Sequence, residues 1–101
     1  MPALALCDVD FISTGHACDT TAKIQGNLQS KVSVNGKFVA VLGDSIFPHD
    51  ILINSSCLPH NAFITGGSSK VFINGIPVSR VGDSADQGAI ISGSASITVG
   101  S

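Results

Sequence analysis

Hydrophobic and polar positions alternate over short stretches of this chain, and they do so twice in the same order. Lys31-Val32-Ser33-Val34-Asn35-Gly36-Lys37-Phe38-Val39-Ala40-Val41-Leu42-Gly43-Asp44-Ser45 returns as Lys70-Val71-Phe72-Ile73-Asn74-Gly75-Ile76-Pro77-Val78-Ser79-Arg80-Val81-Gly82-Asp83-Ser84. A period of two turns one face of a strand inward and the other outward. Asn-Gly between two such runs supplies the positive φ that both central positions of a type I′ turn require. The pattern therefore predicts residues 31–34 paired with 38–42 through Asn35-Gly36, and 71–73 paired with 78–81 through Asn74-Gly75. No stretch keeps the i, i+3, i+4, i+7 spacing of an amphipathic helix. The expected fold is all-β, with no substantial helix.

A second piece recurs three times: Ala22-Lys23-Ile24-Gln25-Gly26, Ala62-Phe63-Ile64-Thr65-Gly66 and Ala89-Ile90-Ile91-Ser92-Gly93, the last leading into the apolar run Ile97-Thr98-Val99. Three copies predict one small domain of three pseudo-repeats arranged about a pseudo-threefold axis. Residues 8–21 and 45–61 break the repeat and read as loops, and they hold all three histidines together with Cys18 and Cys57. Loops on a repeated scaffold are where chemistry is expected.

Composition narrows the function classes. The chain has 101 residues, of which 44% are hydrophobic and only 12% charged, with a mean hydropathy of +0.42. An ordinary soluble domain carries roughly 25% charged residues, so part of the outer surface is expected to lie against a partner. A net charge of −2, with no Trp and no Tyr, offers neither a basic stripe nor a stacking platform for nucleic acid. No apolar run reaches the ~18 residues of a membrane span, and the start Met1-Pro2-Ala3-Leu4-Ala5-Leu6-Cys7 lacks the basic region of a secretory leader. Synthesis in the cytoplasm without a signal peptide is expected, and with three cysteines, Cys7, Cys18 and Cys57, the sequence favours thiols or metal ligands over a disulfide framework.

The candidate ligands are His16, Cys18, His49, Cys57 and His60. Cys57-Leu58-Pro59-His60 has the Cys-x-x-His spacing by which one turn presents a thiolate and an imidazole to a single ion. His16, His49, His60 and Cys57 would make a tetrahedral site for zinc or ferrous iron. Cys18 can replace Cys57 in that set or pair with it oxidatively, and Cys57 can equally serve as a small apolar residue. No acid pair reads as a general acid and base: Asp44 and Asp83 follow glycine at equivalent repeat positions and suit turns.

With the repeats and the His/Cys segments together, the chain resembles the PAAR-repeat proteins from about Gly15 to Gly100. Gly67 to Asp83 carries the likeness most strongly, with Pro77-Val78-Ser79-Arg80 at the Pro-Ala-Ala-Arg position. In the first repeat that tetrapeptide is Phe38-Val39-Ala40-Val41, without the Pro or the Arg. The resemblance implies a short pointed β-cone with one metal ion, zinc or else iron, held near its apex by His16, His49, Cys57 and His60. It also implies a structural, non-enzymatic role as the tip that sharpens a trimeric β-helical spike for piercing a target cell envelope, one chain per trimer. The place would be the tip of a phage tail, which the compact form favours, or a type VI secretion apparatus. A single chain with threefold pseudosymmetry is expected to cap a trimer rather than form a homo-oligomer or insert stably in a membrane. Two other readings stand beside this one: an adaptor carrying a non-covalent effector, and a small zinc hydrolase with an open fourth metal position.

Overall fold

Both Asn-Gly pairs turn the chain as their chemistry requires, with φ of 52° and 82° at Asn35 and Gly36 and of 53° and 77° at Asn74 and Gly75. The computed structural model describes residues 2–26 and 28–99, and all of its regular elements are strands. In chain order these are β1 (Phe11–Ser13), β2 (Thr21–Lys23), β3 (Ser33–Val34), β4 (Lys37–Phe38), β5 (Ser45–Ile53), β6 (Ser56–Phe63), β7 (Phe72–Ile73), β8 (Ile76–Pro77), β9 (Ser84–Ala85) and β10 (Gly88–Ala89). They pair as five antiparallel hairpins. Among the described residues no helix is long and apolar enough to cross a membrane. The molecule is elongated, with principal extents of 41 × 24 × 22 Å.

The Asn-Gly hairpins are shorter than the alternation predicts. β3–β4 and β7–β8 pair only two residues each, and the chain then leaves its own hairpin. Val39 bridges to Leu6, Val41 to Val78, and Arg80 to Leu4, so three short segments around residues 5, 40 and 79 form a triangle. At its centre the Ala5 amide donates to Ser79 O (3.0 Å), Ser79 to Ala40 O (2.9 Å) and Ala40 to Ala5 O (3.0 Å). That closed ring of three hydrogen bonds is the pseudo-threefold axis in backbone form. It satisfies groups that a lone hairpin would leave open at its edge.

Three equivalent aspartates fix the corners. Oδ2 of Asp10, Asp44 and Asp83 accepts from the amides of Leu6 (2.8 Å), Val41 (2.7 Å) and Arg80 (2.7 Å). The turn role read for Asp44 and Asp83 thus extends to Asp10. The first unit accordingly includes residues 4–13, which the sequence pattern left outside the repeats because no Gly-Asp-Ser marks them.

The core is layered on this axis. One cluster gathers Leu4, Leu6, Val39, Val41, Val78 and Val99 on one side of the triangle. On the other side three hairpins close a second ring: Ile24 bridges Ile46, Ile64 bridges Ala85, and Ile90 bridges Ile12, all six nearly fully buried. The third unit is one residue out of the phase that the Ala-x-Ile-x-Gly pattern suggests. Ile90, not Ile91, occupies the buried place, and Ile91 is half exposed. The register explains the slip, because Gly88 pairs with Ala85 where Ala22 pairs with Ile12 and Ala62 with Ile46.

Candidate metal centre

Beyond the isoleucine ring the three hairpins converge, and one of them is much longer than the sequence pattern suggests. Residues 45–61, read as a loop, form most of β5 and β6, of 9 and 8 residues, joined at Asn54-Ser55 with φ of 49° and 67°. The same I′-like turn is present without the glycine that marks it elsewhere. Pro48 explains the rest. Having no N–H, it suits a bulge, and the β5–β6 register shifts between Ile46 and His49. That extra residue brings His49 directly opposite His60. Cross-strand partners share a face, so both imidazoles point the same way.

His16 arrives from the turn between β1 and β2. Residues 17–19 run along the outer edge of β5, where Leu52 N donates to Ala17 O (2.9 Å) and Asp19 N to Asp50 O (3.1 Å). The fourth group is Asp86, in the two-residue turn between β9 and β10, at φ 53°. Two glycines allow these turns to touch: a Cβ on Gly15 would strike the Gln87 carbonyl, and one on Gly88 would strike Ser13 O and Oγ. The β9–β10 hairpin is tied there by Ala89 N donating to Ser13 Oγ (3.1 Å) and Gln87 N to Thr14 O (3.0 Å). We expect Gly88→Ala to cost about 1–3 kcal/mol through overpacking and to displace Asp86. Chemical denaturation checks this, and an unchanged midpoint would show that the close approach carries no strain.

The three histidines meet on one carboxylate. Nε2 of His16 and of His49 lie 2.8 and 2.7 Å from Asp86 Oδ2, and Nε2 of His60 lies 3.1 Å from Oδ1. The ring centroids are 5.2 Å apart in all three pairs, and the four ligand atoms lie within 4.8 Å of one another. The side chains of Asp86, His49 and His16 are buried, whereas that of His60 is 28% exposed. Burial pushes the Asp86 carboxyl up, but hydrogen bonding to His49, His60 and His16 more than offsets this, so it sits below its ordinary value.

Ring orientation says what the cluster is built for. Nδ1 of His16 faces Ala17 O at 3.0 Å, and Nδ1 of His49 faces Phe47 O at 2.9 Å. A carbonyl oxygen only accepts, so each Nδ1 carries a proton, and in the neutral form of either ring it is Nε2 that offers its lone pair on the side of the carboxylate. Lone pairs facing a carboxylate at 2.7–2.8 Å require positive charge between or upon them. A divalent cation meets that need with one ion, whereas protons would crowd several imidazoliums into one buried space. Three imidazole nitrogens and a carboxylate oxygen are ligands that zinc and ferrous iron accept, and backbone carbonyls hold two of the rings in the ligating tautomer.

The structure brings His16, His49 and His60 together and does not bring Cys57 to them. Cys57 is disulfide-bonded to Cys18, with a Cα–Cα distance of 6.0 Å. A Cys-x-x-His spacing presents both groups to one ion when it forms a turn. Here it lies on strand β6, where residues three apart face opposite sides. The preference for thiols or ligands is thereby corrected for these two cysteines, and the oxidative pairing is the arrangement found. Cys7 is buried, its sulfur 3.7 Å from Asp44 Oδ2. Sequence reasoning does not single out Asp86, because it has neither a ligand-like spacing to the histidines nor an equivalent acid in the other repeats. The available signal was the Asp86-Gln87-Gly88 turn, which stands where the long His49/His60 hairpin stands in the second unit.

The chain is a pseudo-threefold all-β domain that gathers three histidines and an aspartate where its hairpins converge. Residues 14–93 match the PAAR motif, and the chain belongs to that family. The motif marks structural spike-tip proteins of contractile injection systems. No curated protein matches the chain.

Proposed function

We propose that this chain is the tip of a trimeric β-helical spike, one copy per trimer, in a phage tail or a type VI apparatus, with a structural zinc ion near its apex. The observation that carries the reading is the closed ring of amide bonds at Ala5, Ala40 and Ser79. It gives one chain the symmetry of three, which is what a monomer needs in order to meet a trimer end-on. Exposed Phe63, Phe72, Leu28 and Ile91 leave apolar surface uncovered in the isolated chain, as the shortage of charge suggests.

His16, His49, His60 and Asp86 would hold the ion in the disulfide-bonded form. Bound there, it would cross-link three hairpins that have no room for a hydrophobic core of their own. A fourth donor from the chain itself favours a closed structural site over a hydrolytic one, which keeps a position open for water. The spike reading is tested by mixing the chain with the trimeric spike fragment of the same particle and measuring mass by light scattering. One chain per trimer is expected, and a 3:3 complex would overturn the symmetry argument.

A further inference from the structure

The three sides of the molecule are built alike and finished differently. Each is a seam between neighbouring units closed by the same bond, with Gln25 N donating to Ser45 O, Thr65 N to Ser84 O and Ile91 N to Phe11 O, all at 2.9 Å. At two seams the side chains of these residues are polar and bonded to each other, Ser45 Oγ donating to Gln25 Oε1 (3.3 Å) and Thr65 Oγ1 to Ser84 Oγ (2.8 Å). At the third the equivalent residues are Phe11 and Ile91, 40% and 50% exposed. Single apolar residues on a surface are ordinary. An apolar pair standing where both sister seams carry hydrogen-bonded polar pairs is a departure from the repeat on one side alone.

Two more departures fall on that side. Its corner is one residue longer than the others, since Asp10 N donates four residues back to Leu6 O whereas Asp44 N and Asp83 N donate three back, and exposed Val9 lies in that longer corner. Ser92 stands where the other seams have Gly26 and Gly66, and its Oγ accepts from Phe11 N (2.9 Å) and donates to Asp10 Oδ1 (3.1 Å), which holds the departing side in shape. From Val9 the apolar surface continues into an open groove of about 330 Å³, lined also by Leu6, Val34, Lys37 and residues 93–96. The strip therefore runs lengthwise, from the isoleucine ring beside Phe11 to the level of the amide triangle beside Leu6.

We infer that this one side binds an extended segment of a second protein in a single copy, with apolar side chains along the strip and a carboxylate beside Lys23. A threefold partner meets three equal sides and gains nothing from a feature built on one. The Lys23 ammonium lies 5.9 Å from the centre of the Phe11 ring and enters no ion pair among the described residues, whereas Lys37 is paired with Asp8. The uncompensated charge at the strip is thus positive, and an acidic neighbour complements it. A long, narrow apolar strip suits an extended chain, which sends alternate side chains to one face. The inference stands apart from the spike-tip reading, because it needs only the departure of one seam from the other two.

The test returns that seam to the pattern of its sisters. Phe11→Ser/Ile91→Thr installs the Ser84 and Thr65 pair there, and thermal melts verify folding. Short peptides are selected on wild type from a displayed random library, then measured by calorimetry at two salt concentrations against wild type, this variant and Lys23→Glu. The selected peptides should share apolar residues beside Asp or Glu and bind one per chain, and the double variant should bind them about 30-fold more weakly or worse, as when central interface residues are lost. Lys23→Glu should weaken binding and remove most of its salt dependence. Selected peptides without a shared sequence, or equal affinity for the double variant, overturn the inference. Light scattering of wild type alone, and calorimetry of both proteins with the trimeric spike fragment, decide the other occupants: a dimer that the double variant abolishes would assign the strip to a second copy, and spike binding lost in that variant would assign it to the spike, and either overturns the inference. Failure of wild type itself to bind the spike would overturn the spike-tip reading and leave the peptide result to decide this one.

Discussion

Metal-loaded wild type should carry one transition-metal ion per chain, and His49→Ala should carry almost none. The expectation follows from geometry, since His49 is the buried ring whose Nε2 lies closest to Asp86 and whose Nδ1 is fixed by Phe47 O. Removing it leaves two imidazoles and a carboxylate, below the four donors of a closed structural site. The stability effect should be large. Structural zinc in small peptides is worth an apparent ~10–16 kcal/mol, and metal at about 1,000 times its Kd stabilises a folded chain by ~4 kcal/mol. For a domain of this size, 1 kcal/mol moves Tm by roughly 4–8 °C. Chelation, or His49→Ala, should therefore lower Tm by on the order of 20 °C.

The ligand set is separated by three further variants in the same measurement. Asp86→Asn should lose metal. Cys57→Ala and Cys18→Ala should keep it, the latter leaving Cys57 as a thiol without its disulfide. Full occupancy in Asp86→Asn together with loss in Cys57→Ala would transfer the fourth position to Cys57, as the family resemblance implies. Full occupancy in His49→Ala would remove the site altogether.

Reduction of the Cys18–Cys57 bond should be the second large effect. The bond sits among exposed residues, and Cys57 is accessible to a reductant. β5 is bonded on one side to β6 and on the other to residues 17–19, and the disulfide joins those two outer segments to each other. It closes the third side of a three-stranded tip that has almost no interior. The cysteines are 39 residues apart. Closing a loop of that length stabilises by about 4 kcal/mol in the chain-entropy account, within a usual range of ~2–4. A Tm lower by roughly 10–25 °C is expected on reduction or in Cys18→Ala, read by calorimetry with metal held constant. A shift under a few degrees would mean that the hydrogen bonds along β5 already hold the tip closed.

Much of the architecture was legible before any coordinate. The Asn-Gly pairs at residues 35–36 and 74–75 specify their turns locally, since few other dipeptides accept positive φ twice. The Gly-Asp corners at Asp44 and Asp83 were equally plain. Less visible was the corner at Asp10, where no glycine precedes the aspartate, and the long hairpin of residues 45–63, whose turn is Asn-Ser and whose first strand contains a proline. Residues 54–55 reach positive φ twice without a glycine, and the Asp10 corner is one residue longer than the other two, with its positive φ at Asp8 rather than immediately before the aspartate.

The sequence by itself determined that the chain is all-β, threefold in plan and supplied with three histidines outside its repeated segments, because turn chemistry and alternation act over a few residues. The tertiary structure decided which groups meet. A bulge at Pro48 turns His49 to face His60, strand alternation turns Cys57 away from them, and the removal of one Cβ at Gly88 lets Asp86 reach the ring nitrogens. Those outcomes depend on register and close approach between units far apart in the chain, and register is set by packing across the whole axis rather than by any one segment.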